Sequence, residues 1–330
     1  DGVAVCGDTV LFTAMKKGKL QELWCWKDGK IRQLTRLNTH ALSGKYVGEP
    51  EYCGFVNSQG TRIDGWIIKP FGYDENKSYP ALLSMHGGPC VAWGELFVHE
   101  MQMLAGQGYF VFFCNPRGSD GRGAKFADIK NKYGTVDFED FMEFTDHVLE
   151  CCPQIDKNRL GVLGGSYGGY ATLAGLTYTP DLYACGVDYV GVSNLFTFLQ
   201  TIPPYWKPML DMMYEMVGDP QKDSTMLAAY SPALNADKIK APLLVVQGAN
   251  DPRVNKAESD QMVAALRARG VDVDYMVKDN EGHGFHNEEN RFAFYRTMER
   301  FLAKHLKGEQ IDAVIEEEAP APAEADSMAR

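Results

Sequence analysis

The spacing of apolar positions along this chain changes near residue 50. Before that point apolar side chains recur at every second position, in residues 3–7 (VAVCG), 9–16 (TVLFTAMK) and 22–35 (ELWCWKDGKIRQLT). A period of two predicts strands, and Asp28-Gly29 inside the third run is a hairpin turn signal. Residues 1–48 therefore read as two or three antiparallel strands without a helix. From about residue 50, apolar runs alternate with segments of helical period. Residues 53–57 and 62–70 predict an opening hairpin. Strands are expected at 81–88, 109–118, 158–165, 182–191, 241–251 and 271–280, and helices at 94–108, 138–152, 167–180, 255–270 and 288–306. Apolar strands alternating with helices imply an α/β architecture, a mainly parallel sheet with helices on both faces.

Composition narrows the class. With 45% hydrophobic and 23% charged residues, the 330-residue chain is globular rather than disordered, collagen-like or coiled-coil. The net charge of −11 is uneven: +4 over residues 1–48, −10 over 49–306 and −5 over 307–330. This suggests three parts: an N-terminal β segment (1–48), an α/β domain (49–306) and an acidic, Ala/Pro/Glu-rich tail (307–330) expected to be disordered. The acidic balance argues against nucleic acid or an anionic membrane as a partner. No apolar run reaches the roughly 18 residues of a membrane span, and no signal peptide is visible. A chain that opens on Asp1 rather than Met is expected to have lost something upstream. Its eight cysteines lie mostly in apolar runs and form no C-x-x-C pair, the pattern of reduced core thiols in a cytoplasmic protein. No metal or cofactor motif is found; Gly118–Gly123 is glycine-rich but lacks the G-x-G-x-x-G spacing.

The chemistry gathers around Gly164-Gly165-Ser166-Tyr167-Gly168. An apolar strand runs into this G-x-S-x-G and a helix leaves it, which is the context of a nucleophile elbow. A serine hydroxyl needs a base, and the base needs an orienting carboxylate. In the order Ser, Asp, His, the carboxylate is Asp251, just past an apolar strand, and the base is His283, between two glycines after the next strand. Open parallel sheets place their sites at such strand ends. His286 is read as a capping or surface residue. Two N–H donors are needed for the oxyanion: the one on Tyr167, after the nucleophile, and one from His86-Gly87-Gly88-Pro89, where Gly88 is favoured over Gly87 and His86 is read as structural.

His86-Gly87-Gly88-Pro89, Asn115-Pro116-Arg117-Gly118-Ser119, Gly164–Gly169, Asp251-Pro252-Arg253-Val254 and Gly282-His283-Gly284 follow one another in this order. Together, over roughly residues 45–306, they resemble the catalytic domain of the prolyl oligopeptidase family of serine peptidases, an α/β-hydrolase fold. The nearest likeness is to its acylaminoacyl-peptidase and dipeptidyl-peptidase branches. The resemblance implies cleavage of short peptides rather than folded proteins. It also implies that residues 1–48 are the last strands of an upstream β-propeller that limits substrate size, and that Arg253 binds a substrate carbonyl. Asn255 stands where some relatives carry Pro. A carboxylesterase on the same fold is the alternative, a non-catalytic binding subunit a weaker one. Whether the protein forms homo-oligomers is left open. The aromatic stretch holding Phe196, Phe198, Tyr205 and Trp206 is read equally as a pocket wall or as packing. The Asn115–Ser119 segment is read as scaffold.

Overall fold

The computed structural model describes residues 2–311. Thirteen strands fall in two sheets among these residues. The first sheet contains β1 (Val3–Cys6), β2 (Thr9–Ala14), β3 (Glu22–Lys27) and β4 (Lys30–Gln33), paired antiparallel in chain order. Four antiparallel strands in chain order form a meander, an arrangement also found in single propeller blades. The strand count exceeds the expected two or three because the Asp28-Gly29 turn divides the long third run into β3 and β4.

The second sheet contains β5 (Glu51–Tyr52), β6 (Phe55–Val56), β7 (Arg62–Ile68), β8 (Tyr79–Met85), β9 (Phe110–Asn115), β10 (Ile155–Gly165), β11 (Cys185–Tyr189), β12 (Leu243–Gly248) and β13 (Val273–Lys278). Its order is β13-β12-β11-β10-β8-β9-β7-β5, with β6 on β7. All neighbours from β13 to β9 are parallel, and β5, β6 and β7 add an antiparallel edge.

The helices are α1 (Thr39–Leu42), α2 (His99–Gly106), α3 (Ala124–Ala127), α4 (Val136–Cys151), α5 (Tyr167–Tyr178), α6 (Leu195–Gln200), α7 (Leu210–Val217), α8 (Ser224–Ala229), α9 (Lys256–Arg267) and α10 (Glu288–Lys307). The one-turn α1 corrects the expectation of no helix before residue 48. It is too short for a periodic pattern, and the Glu22 carboxylate fixes its approach by accepting the Leu37 and Asn38 N–H groups at 3.0 and 2.9 Å. The expected helix at 94–108 starts only at His99. Of the tail read as disordered, residues 312–330 lie outside the described residues, and α10 extends through Lys307.

The period-two alternation of the parallel strands fills two cores. On β8, Ala81, Leu83 and Met85 face one layer and Leu82 the other; on β9, Phe110, Phe112 and Cys114 oppose Val111 and Phe113. The first layer includes Phe141 and Phe144 of α4, Leu173 of α5 and Met262 of α9. The second includes Leu104 of α2 with Met298, Phe301 and Leu302 of α10. The chain places β9 on one side of β8 and β10 on the other, so the strand order reverses between β8 and β10. A crevice opens at the carboxyl ends of strands at such a switch point.

Candidate active site

Ser166 lies at that crevice, between the end of β10 and the start of α5. Its backbone sits at φ 59°, ψ −116°, a conformation L-residues rarely adopt, and the local sequence makes it attainable. A Cβ on Gly164 would come within 2.5 Å of Gly168 O, and one on Gly168 within 2.1 Å of Met85 O. Only glycine allows the elbow to pass so close to itself and to β8. The Ser166 N–H donates to Tyr189 O at 2.8 Å, tying the strained residue to β11.

The three residues expected to work together are brought into one line. His283 Nε2 is 3.0 Å from Ser166 Oγ, and His283 Nδ1 is 2.7 Å from Asp251 Oδ2. Asp251 follows β12, and its side chain is fully buried. Its Oδ1 accepts the N–H groups of Arg253 at 2.8 Å and Val254 at 3.0 Å, which fixes the carboxylate and leaves Oδ2 for the imidazole. The His283 side chain is 14% exposed, so the ring is reachable from the crevice.

Glu281, two residues before His283, does work that the sequence reading missed. It is buried and accepts the N–H groups of His286 and Asn287, both at 2.9 Å, and the side-chain amides of Asn287 and Asn290 at 2.9 and 2.8 Å. Burial alone would raise its carboxyl, but these donors hold it down at about 2. The histidine loop is thereby stapled to the start of α10. His286 contributes its N–H to this staple, in keeping with a structural reading. The only sequence signal for Glu281 is an acidic residue followed by Asn287 and Asn290 before a helix.

Tyr167 begins α5, where free N–H groups and the helix dipole favour developing negative charge. Its ring is buried, and its hydroxyl donates to Asp137 Oδ2 on α4. Burial pushes the Asp137 carboxyl up to about 6, against the pull of the Tyr167 hydroxyl and of Gly134 N–H, which donates at 3.0 Å. Nothing in the sequence joins these two residues. Gly87 and Gly88 lie on the loop after β8; a Cβ on Gly87 would stand 3.5 Å from Ser166 Cβ, so this loop crosses close to the nucleophile. His86 is buried, with Nε2 at 2.9 Å from Ser119 Oγ and Nδ1 at 2.7 Å from Gly87 O. Burial lowers its pKa despite the Gly87 carbonyl, keeping the ring neutral and structural.

The remaining motif residues occupy the surrounding loops. Arg117 grips Asp140 with Nε and Nη2, both at 2.9 Å, and Asn115 brackets the backbone of Trp93 at 2.9 and 2.8 Å. The Asn115–Ser119 segment is thus anchored to the scaffold. The Arg253 side chain is exposed and forms no ion pair among the described residues. Behind the elbow, Asp188 of β11 lies opposite Gly164 and is fully buried. Burial pushes its carboxyl up to about 7 against the pull of Gly191 N–H. In the aromatic stretch Phe198 is buried, while Tyr205, Met209 and Met212 are exposed. No helix among the described residues is long and apolar enough to cross a membrane.

Known proteins resemble this chain in sequence and in fold. The model of the prolyl oligopeptidase family matches residues 95–309. Dipeptidyl aminopeptidase BIII of Pseudoxanthomonas mexicana is 45% identical over 233 residues, covering 69% of this chain and 34% of that protein. Dipeptidyl peptidase family member 6 of Caenorhabditis elegans is 38% identical over 232 residues, covering 69% and 31%. The solved structure of Pyrococcus horikoshii acylaminoacyl peptidase superposes with a TM-score of 0.87 at 29% identity, over 96% of this chain and 51% of that one. The chain thus spans about a third of the length of these curated relatives and about half of the solved structure.

Proposed function

The chain belongs to the prolyl oligopeptidase family, and on that premise we propose that it carries the catalytic machinery of a serine peptidase acting on short peptides. The carrying observation is the unbroken line Ser166–His283–Asp251 on a nucleophile elbow. In the proposed reaction His283 Nε2 takes the Ser166 proton as Oγ attacks the scissile carbonyl. Asp251 Oδ2 accepts from Nδ1–H, fixes the tautomer and stabilises the imidazolium. The N–H groups of Tyr167 and Gly88 receive the oxyanion. His283 then protonates the leaving amine. Water, activated by the same ring, releases the acyl group from Ser166.

Arg253, exposed beside Asp251 and without an ion pair among the described residues, is the proposed fork for a substrate carbonyl. The blade-like meander supports the proposal that residues 1–48 end an upstream propeller which restricts entry to short chains. The names of the relatives favour a substrate entered from its N-terminus, as a dipeptidyl or acylaminoacyl unit. The buried thiols of Cys25, Cys114 and Cys185 fit a reducing compartment, the cytoplasm.

The test is covalent labelling with a fluorophosphonate, followed by peptide mapping. Label on Ser166, and its loss in Ser166→Ala together with turnover of a dipeptidyl or acyl-amino acid nitroanilide, is the expected result. Wild-type turnover by Ser166→Ala overturns the assignment. A kcat/KM for simple esters far above that for any peptide would make the protein a carboxylesterase instead.

A further inference from the structure

The chain carries a second constellation at the opposite end of the sheet from Ser166. A cleft of about 530 Å3 opens there, beside Phe110 at the start of β9 and against the edge strands. Three side chains that the triad chemistry does not use meet in it: Cys53, His147 and Cys151. His147 and Cys151 stand one turn apart on α4, so they share a face. Cys53 comes from the link between β5 and β6, and its N–H is held by Gly65 O at 2.7 Å. The His147 ring is stacked on Phe55, with centroids 5.3 Å apart and planes at 19°. One ligand atom from each residue lies within 4.8 Å of the other two.

That geometry is close to a metal site. Zn–S bonds of about 2.3 Å and Zn–N bonds of about 2.0–2.1 Å in a tetrahedron place ligand atoms roughly 3.5–3.8 Å apart. His147 Nε2 is 3.6 Å from Cys151 Sγ. The helix pair is therefore already at the required spacing, and the Cys53 thiol lies within 4.8 Å of a ligand atom on each of the other two. Glu51 also lines the cleft, but its carboxylate is engaged by Lys69 at 2.9 Å.

We propose that Cys53, His147 and Cys151 bind one divalent cation of the zinc class, with the fourth position open to the cleft and filled by water. The two thiols each release a proton to solvent, their sulfur lone pairs bond the cation, and the two thiolates balance its charge. No electron is transferred. The bound ion would tie the β5–β6 edge to α4, the helix whose first turns carry Asp137 and Asp140. The sequence alone does not reveal the site, because only the H-x-x-x-C spacing on α4 is local and Cys53 arrives from a distant edge.

The test titrates the full chain, reduced and stripped of metal, with Co2+ as a spectroscopic stand-in for Zn2+. One equivalent should produce a thiolate-to-cobalt charge-transfer band, and Zn2+ should displace it and raise the melting temperature. In Cys53→Ser, Cys151→Ser and His147→Gln the affinity should fall by more than about 100-fold, beyond the cost of losing a mere supporting partner. In Cys152→Ser and in Cys90→Ser it should be unchanged. Cys151 is exposed, so its serine variant keeps the fold. No band in the wild type, a band that survives Cys53→Ser, or one lost in Cys152→Ser overturns the proposal. So does an intact mass short by two hydrogens before reduction, with Cys53 and Cys151 joined in a disulfide.

Discussion

The four-stranded meander and the nine-stranded sheet both follow from apolar patterning, by alternation in the first and by apolar runs in the second, and their outer and central strands differ sharply in burial. On β8 every residue after Tyr79 is buried, whereas every residue of β1 and β4 is exposed, Val3, Val5 and Ile31 by 71, 68 and 63%. The difference lies in the second layer. The large sheet receives α2, α4, α5, α9 and α10 from its own sequence, so both faces are covered. The meander has no such layer among the described residues. Alternation thus predicts a strand but not whether its apolar face is covered. Chemistry follows burial: the strained backbone of Ser166 persists only where surrounding packing over-determines it, and that packing exists in one of the two sheets.

The comparison is sharpened most by changes at the crevice. Asp251→Asn should lower kcat by about 10⁴-fold, because the amide holds His283 in the wrong tautomer, while thermal melting stays near that of the wild type. A loss below about tenfold would remove Asp251 from the proposed triad. Next in size is the core. Leu83→Ala empties a fully buried site between β8 and the α4/α5 layer and should cost about 2–5 kcal/mol in urea unfolding.

The legible part of the molecule is the part with strong local signals. The strands of the large sheet follow from apolar runs and the helices from their period, and the candidates Ser166, Asp251 and His283 follow from the G-x-S-x-G elbow, the Ser-Asp-His order and positions at strand ends. What escaped depends on contacts between distant residues. Asp137 meets Tyr167 because α4 packs beside α5. Glu281 finds its donors only after the loop folds onto α10. Cys53 reaches His147 across the sheet edge. The extra strand of the meander was within reach of a local signal, since the Asp28-Gly29 turn splits the third alternating run in two.

Glu281 gives the comparison a pH axis. Its carboxyl lies at about 2 in the folded chain, below the ordinary value near 4.3. A depressed carboxyl contributes stability that is present above the unfolded value and is lost as pH falls through the folded one. The wild type should therefore lose more stability than Glu281→Gln between about pH 4.5 and pH 2, and the two urea midpoints should converge toward the acid end. Parallel midpoints across that window would mean that the staple around His283 does not depend on the charge.

The smallest effect is expected in the meander. Ile31 is 63% exposed on β4, so Ile31→Thr removes apolar surface that water already covers and keeps a β-branched side chain. The change in unfolding free energy should stay within about 0.5 kcal/mol. Self-association at high concentration should fall if the bare edge strands pair between copies, which light scattering would detect. A destabilisation above about 1 kcal/mol would break the comparison, because it would show that the outer strand is covered in solution and unfolds together with the large sheet.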